Sequence, residues 1–384
     1  MISISRLYCG LAAASDDLRY GRDGRPSRAM PVVVWNATRR CNLRCVHCYS
    51  ASTPQPADEE LTTTDAGAMI DDLAAAGVPV ILFSGGEPLV REDLTELIAR
   101  ASTAGLRTVL STNGTLITPE LAGRLARAGL NYAGISIDGL RQANDDIRGV
   151  PGAFQQALAG LNCCRRAGIR VGLRFTMTQR NISQLPAMFD LAAQERIPRI
   201  CFYHLVFAGR AETIVEEALA PEQTRAAVDL IIDRTAAAHA AGWKVEVLTV
   251  DNHADGPYLY MKLLKADPQQ ASQCLALLRR QGGNGSGSRI GCIGWSGDVH
   301  PDQFWRKCVL GSVRRRRFTE IWSDDSQPLL AALRDRKKRL KGRCARCRWL
   351  DVCNGNLRAR AEAASGDTWG QDPACYLTDQ EISP

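Results

Sequence analysis

Three cysteines, Cys41, Cys45 and Cys48, stand at C-x3-C-x2-C spacing directly after an apolar run, Val32-Val33-Val34-Trp35. Three thiolates this close can hold three corners of a cubic iron–sulfur cluster and leave its fourth iron open. A cluster with four cysteine ligands carries electrons. An open corner takes an outside ligand, as the open position of a catalytic metal does. The plain alternative is a zinc knuckle with His47 as its fourth ligand.

A second cysteine group lies near the other end: Cys344-x2-Cys347-x5-Cys353, with Cys375 returning from farther along the chain. Four thiols make a closed tetrahedral set. Zinc and a four-iron cluster both satisfy that count, and a redox cluster in the same chain favours iron. Cys292 and Cys308 lie upstream, with Asp302 between them, and are expected to be free. Cys9, Cys163, Cys164, Cys201 and Cys274 have no ligand-like grouping and read as small buried hydrophobes. The chain holds 14 cysteines in 384 residues. In a cytoplasmic protein, which the poor signal-peptide character of the first twenty residues suggests, that number means metal ligation rather than disulfides.

The rest of the composition sets few limits. Hydrophobic residues make up 45% and charged residues 23%, ordinary for a globular enzyme. No apolar run reaches the roughly 18 residues of a membrane span. A net charge of +7 suits an acidic small substrate, a nucleic acid or solubility alone. The basic runs at Arg314–Arg317 and Arg334–Arg343 lack interleaved aromatics, so nucleic-acid binding is not expected.

Elements that could position the cysteines begin at Pro31. Strands are expected over Val32–Asn36, Pro79–Phe83, Arg107–Ser111, Tyr132–Ile137, Arg170–Thr176 and Ile200–Leu205. Helices are expected over Thr64–Ala76, Arg91–Ala104, Pro119–Ala128, Ala153–Ala167 and Gln184–Gln194, several closed by glycine. Six strand–helix repeats predict a parallel α/β sheet with right-handed crossovers, and chemistry in such folds gathers at the C-terminal strand ends. A further helix is expected over Pro221–Ala241 and a strand over Lys244–Thr249. Residues 1–30, with Arg19, Arg22, Arg25 and Arg28, read as an irregular lead-in. Residues 31–250 then form the main domain. Residues 251–288 are a helical connection ending in a flexible Gly/Ser stretch from Gln281, and 289–384 a small cysteine-rich domain.

The cysteine triad with His47 and Tyr49 resembles the signature of the radical S-adenosylmethionine (SAM) superfamily. The resemblance gains force from Gly85-Gly86-Glu87-Pro88 at the end of the second strand. It implies an incomplete (β/α)6 TIM-type barrel, a 4Fe–4S cluster on Cys41, Cys45 and Cys48, and SAM on the open iron. Gly85, Gly86, Glu87 and Pro88 would then hold the methionine amino group. Thr112 and Asn113 would add polar contacts, although Asn113-Gly114 is also a strong turn signal. Ser136 and Asp138 alternate along one strand face and would both reach a ribose. Arg148 would pair with the SAM carboxylate, or be a surface arginine. His204, in the sixth strand, is a candidate substrate contact. The C-terminal quartet resembles the last part of a SPASM/Twitch extension, implying a second 4Fe–4S cluster.

Longer stretches, among them His300-Pro301-Asp302-Gln303-Phe304-Trp305 and Asp255-Gly256-Pro257-Tyr258, are similar to the branch of this superfamily that acts in heme d1 biosynthesis. That likeness implies a 5′-deoxyadenosyl radical acting on the C3 and C8 propionates of 12,18-didecarboxysiroheme. It also implies a flavodoxin- or ferredoxin-type electron donor, and a monomer is expected. Two alternatives stay open: a SPASM enzyme modifying a ribosomal peptide or another tetrapyrrole, and a zinc-stabilised nucleic-acid-binding module.

Overall fold

Eleven strands form one sheet. The computed structural model describes residues 1–21, 30–55, 57 and 59–383. Its strands are β1 (Ile2–Ser3), β2 (Val32–Thr38), β3 (Val80–Gly85), β4 (Arg107–Thr112), β5 (Tyr132–Ser136), β6 (Arg170–Met177), β7 (Arg199–His204), β8 (Glu246–Val250), β9 (Ile290–Ile293), β10 (Asp298–His300) and β11 (Gly311–Ser312). Their order is β1-β8-β7-β6-β5-β4-β3-β2-β9-β10-β11. From β8 to β9 every neighbouring pair is parallel. β2 to β7 are the six expected repeats, each followed by one or more helices, in an open, partial α/β barrel.

These segments are strands because they are apolar on both faces, as a sheet covered by helices requires. Trp35, Phe83, Phe175 and Phe202 are fully buried. Trp35 meets Phe83 edge-on at 5.7 Å, and Phe189 stacks on Phe202 at 5.3 Å from the helix Leu185–Gln194. Each such ring contributes about 2 kcal/mol or more of burial free energy. The expected helices stand within a few residues of their bounds. Thr62 and Thr118 cap two of them by accepting from the amides of Asp65 and Leu121. No helix among the described residues is long and apolar enough to cross a membrane.

Two expectations from composition are corrected. Over residues 1–21 the lead-in is not irregular: β1 pairs antiparallel with β8, and Ser5 Oγ donates to the Val245 carbonyl at 2.8 Å. Its Arg22, Arg25 and Arg28 lie outside the described residues. Nor is the glycine-rich stretch after Gln281 a free tether. Asn284 and Ser286 are buried, and the Arg336 guanidinium donates to Asn284 Oδ1 at 2.5 Å and to the Ser286 carbonyl. Its glycines serve close packing, since a Cβ on Gly283 would lie 2.2 Å from the Cys353 backbone. β9, directly after it, then extends the barrel sheet beside β2. A helix over Arg141–Arg148, which was not expected, follows β5.

Candidate active site

The loop carrying Cys41, Cys45 and Cys48 leaves the C-terminal end of β2 and is tied down on every side. Cys41 N donates to Thr53 O, closing its base. The amides of Arg44 and Val46 donate to the carbonyls of Arg148 and Ile147 at the end of the Arg141–Arg148 helix. Asn113 Nδ2 donates to Asn42 Oδ1 at 2.9 Å. From the far side Arg210 reaches the carbonyls of Cys45 (2.8 Å) and Ser52 (2.7 Å), and Arg306 reaches that of Ser50 at 2.7 Å.

The turn after β3 interlocks with this loop. Gly86 N donates to Thr38 O and Glu87 N to Arg40 O. Gly85 has a φ of +131°, which a side chain would strain. Pro88 opens a short 3-10 turn, Pro88–Val90, which Glu87 caps through the Leu89 amide.

The carboxylates lie behind this surface. Glu87 is fully buried, its oxygens accepting from Thr112 Oγ1 and Asn113 N, each at 2.7 Å. Burial pushes its carboxyl up to about 7. Asp138 is also fully buried. Its Oδ2 meets His47 Nε2 at 2.7 Å and Arg148 Nη2 at 2.5 Å, and its Oδ1 accepts from Thr176 N at 2.7 Å. Burial opposes its charge, but the Arg148 guanidinium and the His47 ring outweigh that, and its carboxyl is held below the ordinary range.

This placement corrects one expectation. Ser136 and Asp138 do not share a face toward a ligand: β5 ends at Ser136, so the strand alternation stops before residue 138. Ser136 faces the cavity and Asp138 does not. Arg148 is buried rather than on the surface: it pairs with Asp138, donates to Cys45 Sγ at 3.6 Å and also lines the cavity, its Nε without a partner. Of the glycine motif, Gly85 and Gly86 line the cavity, while Glu87 and Pro88 sit behind it.

That cavity measures about 480 Å³ and runs through the barrel. All three triad cysteines, His47, Tyr49, Thr112, Asn113 and His204 reach it at one end, and Arg107, Arg199 and Arg19 at the other. Tyr49 is fixed by Asn36 (3.0 Å) and Ser84 (2.8 Å), and Phe304 packs edge-on against it at 5.4 Å. The triad thiols differ. Burial pushes Cys41 up to about 12 and raises Cys45. At Cys48 burial opposes ionisation, yet bonds from Ser50 and Ser52 outweigh it and lower the thiol.

In the C-terminal region Cys344, Cys347, Cys353 and Cys375 line one small cavity with Trp349 and Asp372. Trp349 N donates to Cys347 Sγ at 3.4 Å. Cys292 is buried elsewhere, its Sγ 3.6 Å from Asn36 Nδ2. Among the described residues no three His, Cys, Asp or Glu side chains gather tightly enough for a single metal ion. Ligands of an iron–sulfur cluster each bind a different iron, so thiol sets spread around a cavity suit a cluster. The fit is one of donor chemistry: soft thiols, hydrogen-bonded from Arg148 and the Trp349 amide.

Arg210 and Arg306 escaped sequence reasoning. Each sits far along the chain from the loop it holds, and nothing local marks it. Only Gly209, whose Cβ would lie 2.4 Å from the Tyr49 carbonyl, hints at a close approach there.

Comparison with known proteins agrees with this geometry. A family model described as the radical SAM superfamily matches residues 35–192, and one described as an iron–sulfur cluster-binding domain, SPASM, matches residues 286–348. The chain is 56% identical over 394 residues to the Fe-coproporphyrin III synthase of Methanosarcina barkeri, covering 100% of this chain and 99% of that protein. It is 44% identical to the pre-heme d1 synthase of Dinoroseobacter shibae, covering 91% and 87%. The solved structure of native anSMEcpe with bound AdoMet and the Cp18Cys peptide shares the fold, with a TM-score of 0.68 at 18% identity over 90% of this chain and 93% of that one. The zinc-module alternative falls with these matches. The chain is an enzyme of the radical SAM superfamily with a C-terminal SPASM domain, and its cofactors are SAM and iron–sulfur clusters.

Proposed function

We propose that the enzyme acts on the carboxylate side chains of an iron tetrapyrrole, 12,18-didecarboxysiroheme, and forms Fe-coproporphyrin III. The observation that carries this reading is the cavity. It joins the cysteine triad to Arg174 and Arg107, while Arg199 and Arg19 beside them are paired with Glu246, and its volume lies in the range of small-molecule sites. Guanidinium groups match carboxylates bidentately. The full-length likeness to a Fe-coproporphyrin III synthase supports the product. The second reading is action on the C3 and C8 propionates toward heme d1. It is supported by the 44% identical pre-heme d1 synthase and by the stretch from His300 to Trp305.

In this reading Cys41, Cys45 and Cys48 hold the cluster whose open iron takes SAM, and Cys344, Cys347, Cys353 and Cys375 hold a second cluster. When bound, the first cluster and SAM supply the one-electron cleavage that yields a hydrogen-abstracting radical. The protein's part is placement and shielding. Gly85 and Gly86 let the β3 turn close on the cysteine loop, and Thr112, Asn113 and Ser136 present polar groups from neighbouring strand ends. Glu87 and Asp138 hold that surface from behind. The surrounding barrel keeps water from the reacting carbon. The SAM chemistry belongs to residues 31–250 and the second cluster to residues 289–384, joined through the shared sheet. A flavodoxin- or ferredoxin-type protein supplies the electron.

The test is anaerobic reconstitution followed by incubation with SAM, a reductant and 12,18-didecarboxysiroheme. The expected result is 5′-deoxyadenosine formation that depends on the tetrapyrrole, and a product with the mass of Fe-coproporphyrin III. Loss of the C3 and C8 propionates instead would favour the heme d1 reading. SAM cleavage indifferent to the tetrapyrrole would refute both.

A further inference from the structure

Arg174 stands in β6 on the inner face of the barrel and lines the cavity. Its register partner on β5 is Ser136, the last residue of that strand, so it lies just inside the end that carries the cysteine triad. Its side chain crosses β5 to reach β4, where Nη1 donates to Ser111 Oγ. The crossing is possible because the residue of β5 that pairs with Ser111 is Gly134. A Cβ there would lie 2.2 Å from Arg174 Nε and 2.8 Å from its Cζ. A glycine inside a strand marks such a close approach. Tyr203 of β7 flanks the guanidinium, its ring centroid 5.9 Å from Cζ.

The other buried arginines around the barrel are paired: Arg19 and Arg199 with Glu246, Arg148 with Asp138, Arg360 with Asp372. Arg174 has no such counter-ion among the described residues. The ionisable side chains that bear most on it are Tyr203, Tyr132, Cys201 and Tyr49, none a carboxylate. Its Nε is buried without a partner, and among the described residues nothing accepts from Nη2. Those two N–H groups form one edge of the guanidinium plane, and such an edge takes both oxygens of a carboxylate. A charged donor left unmatched inside a protein is costly. A ligand carboxylate would supply what it lacks.

We propose that Arg174 anchors a carboxylate of the substrate through its Nε–Nη2 edge, in a seat that Gly134 leaves open and Ser111 orients. This inference rests on the tetrapyrrole reading above and names which cavity arginine holds the acid. Arg107 begins β4 and lies at the other end of the cavity. A bidentate contact fixes an acid group in direction as well as in place, so one anchored side chain orients the macrocycle against the triad end. SAM carries a carboxylate as well, and the experiment separates the two.

The experiment is equilibrium binding of ferric coproporphyrin III, followed by its absorbance, to the anaerobically reconstituted, SAM-loaded enzyme. Wild type is compared with Arg174→Ala, Arg174→Lys, Gly134→Ala and the double variant of Arg174→Ala with Gly134→Ala. Iron content and SAM affinity are measured on each. Arg174→Ala is expected to weaken porphyrin binding about tenfold or more, the size of a charge-assisted contact. Arg174→Lys keeps the charge without the fork and should fall between it and wild type. Gly134→Ala keeps the guanidinium but takes its seat. It should weaken binding about tenfold by itself and hardly at all once Arg174 is gone, since the two act on one contact. A role in holding the fold would instead lower iron content, SAM affinity and porphyrin affinity together, and the two substitutions would add. Either of those results overturns the anchor, as does Arg174→Ala binding the porphyrin as tightly as wild type; the tetrapyrrole reading then stands. Loss of SAM affinity with porphyrin affinity unchanged assigns the edge to SAM and overturns the substrate anchor. Failure of wild type to bind the porphyrin at all overturns both.

Discussion

Gly86 sits so close to Arg40 that a Cβ on it would lie 2.0 Å from the Arg40 carbonyl oxygen. The glycine motif and the cysteine loop are thus one packed unit. The same turn shows two faces: its glycine backbone lines the cavity while Glu87 anchors it from behind.

Gly86→Ala should therefore disturb the cluster site. The obstacle is backbone, which cannot swing aside as a long side chain can. We expect a stability loss of about 1–3 kcal/mol, the range for overpacking, and SAM cleavage reduced well beyond what that loss explains. Iron content and 5′-deoxyadenosine yield, measured on the same preparation, check this. Full SAM cleavage in the variant would mean the loop has room to move.

The two cysteine sets should separate by iron content. Cys45→Ala is expected to abolish SAM cleavage. Cys375→Ala should lower iron by about four per chain while SAM cleavage by the triad cluster persists. Iron and sulfide analysis with electron paramagnetic resonance of the reduced protein reads both. Equal iron in wild type and Cys375→Ala would exclude a second cluster at that quartet.

Glu87 predicts a pH dependence of stability. Its folded carboxyl lies at about 7, above its ordinary value of 4.5, because burial disfavours the charge. The folded state then holds the proton more tightly than the unfolded one. The contribution is fully present below about pH 4.5 and is lost as pH rises through about 7. Its full size is about 3 kcal/mol, from roughly 1.4 kcal/mol per unit. Denaturant unfolding of wild type and Glu87→Gln at a series of pH values should show the wild-type advantage shrinking across that window. A constant difference would contradict the assignment.

Asp138→Asn leaves Arg148 buried beside Cys45 without its charge partner. Breaking a buried pair from one side costs about 3–5 kcal/mol. Because Arg148 O and Ile147 O also hold the cysteine loop, cluster retention should fall with stability. A melting temperature and an iron content both equal to wild type would show that Asp138 has no positioning role.

Much of this molecule was legible in its residue order because the signals are local. The triad lies within one loop, the glycine motif within one turn, and each βα repeat carries its own periodicity and caps. A two-faced apolar run such as Val32 to Trp35 can only be a covered strand. What escaped depends on residues brought together from distant parts of the chain. Arg210 and Arg306 clamp a loop far upstream, β1 completes an edge beside β8, and the stretch after Gln281 feeds β9 against β2. Glycine content marked that stretch as loose, whereas its glycines are what let it pack. The exposure of acids was equally invisible. Glu87 and Asp138 stand in motifs that suggest ligand contact, yet buried carboxylates are satisfied by whichever donors surround them. Thr112, Asn113, His47 and Arg148 met that need first. Sequence by itself determined the donor set, the barrel repeats and the class of chemistry. Tertiary structure decided which of those side chains face the cavity and which hold it from behind, because hydrogen-bond saturation is a property of neighbours in space.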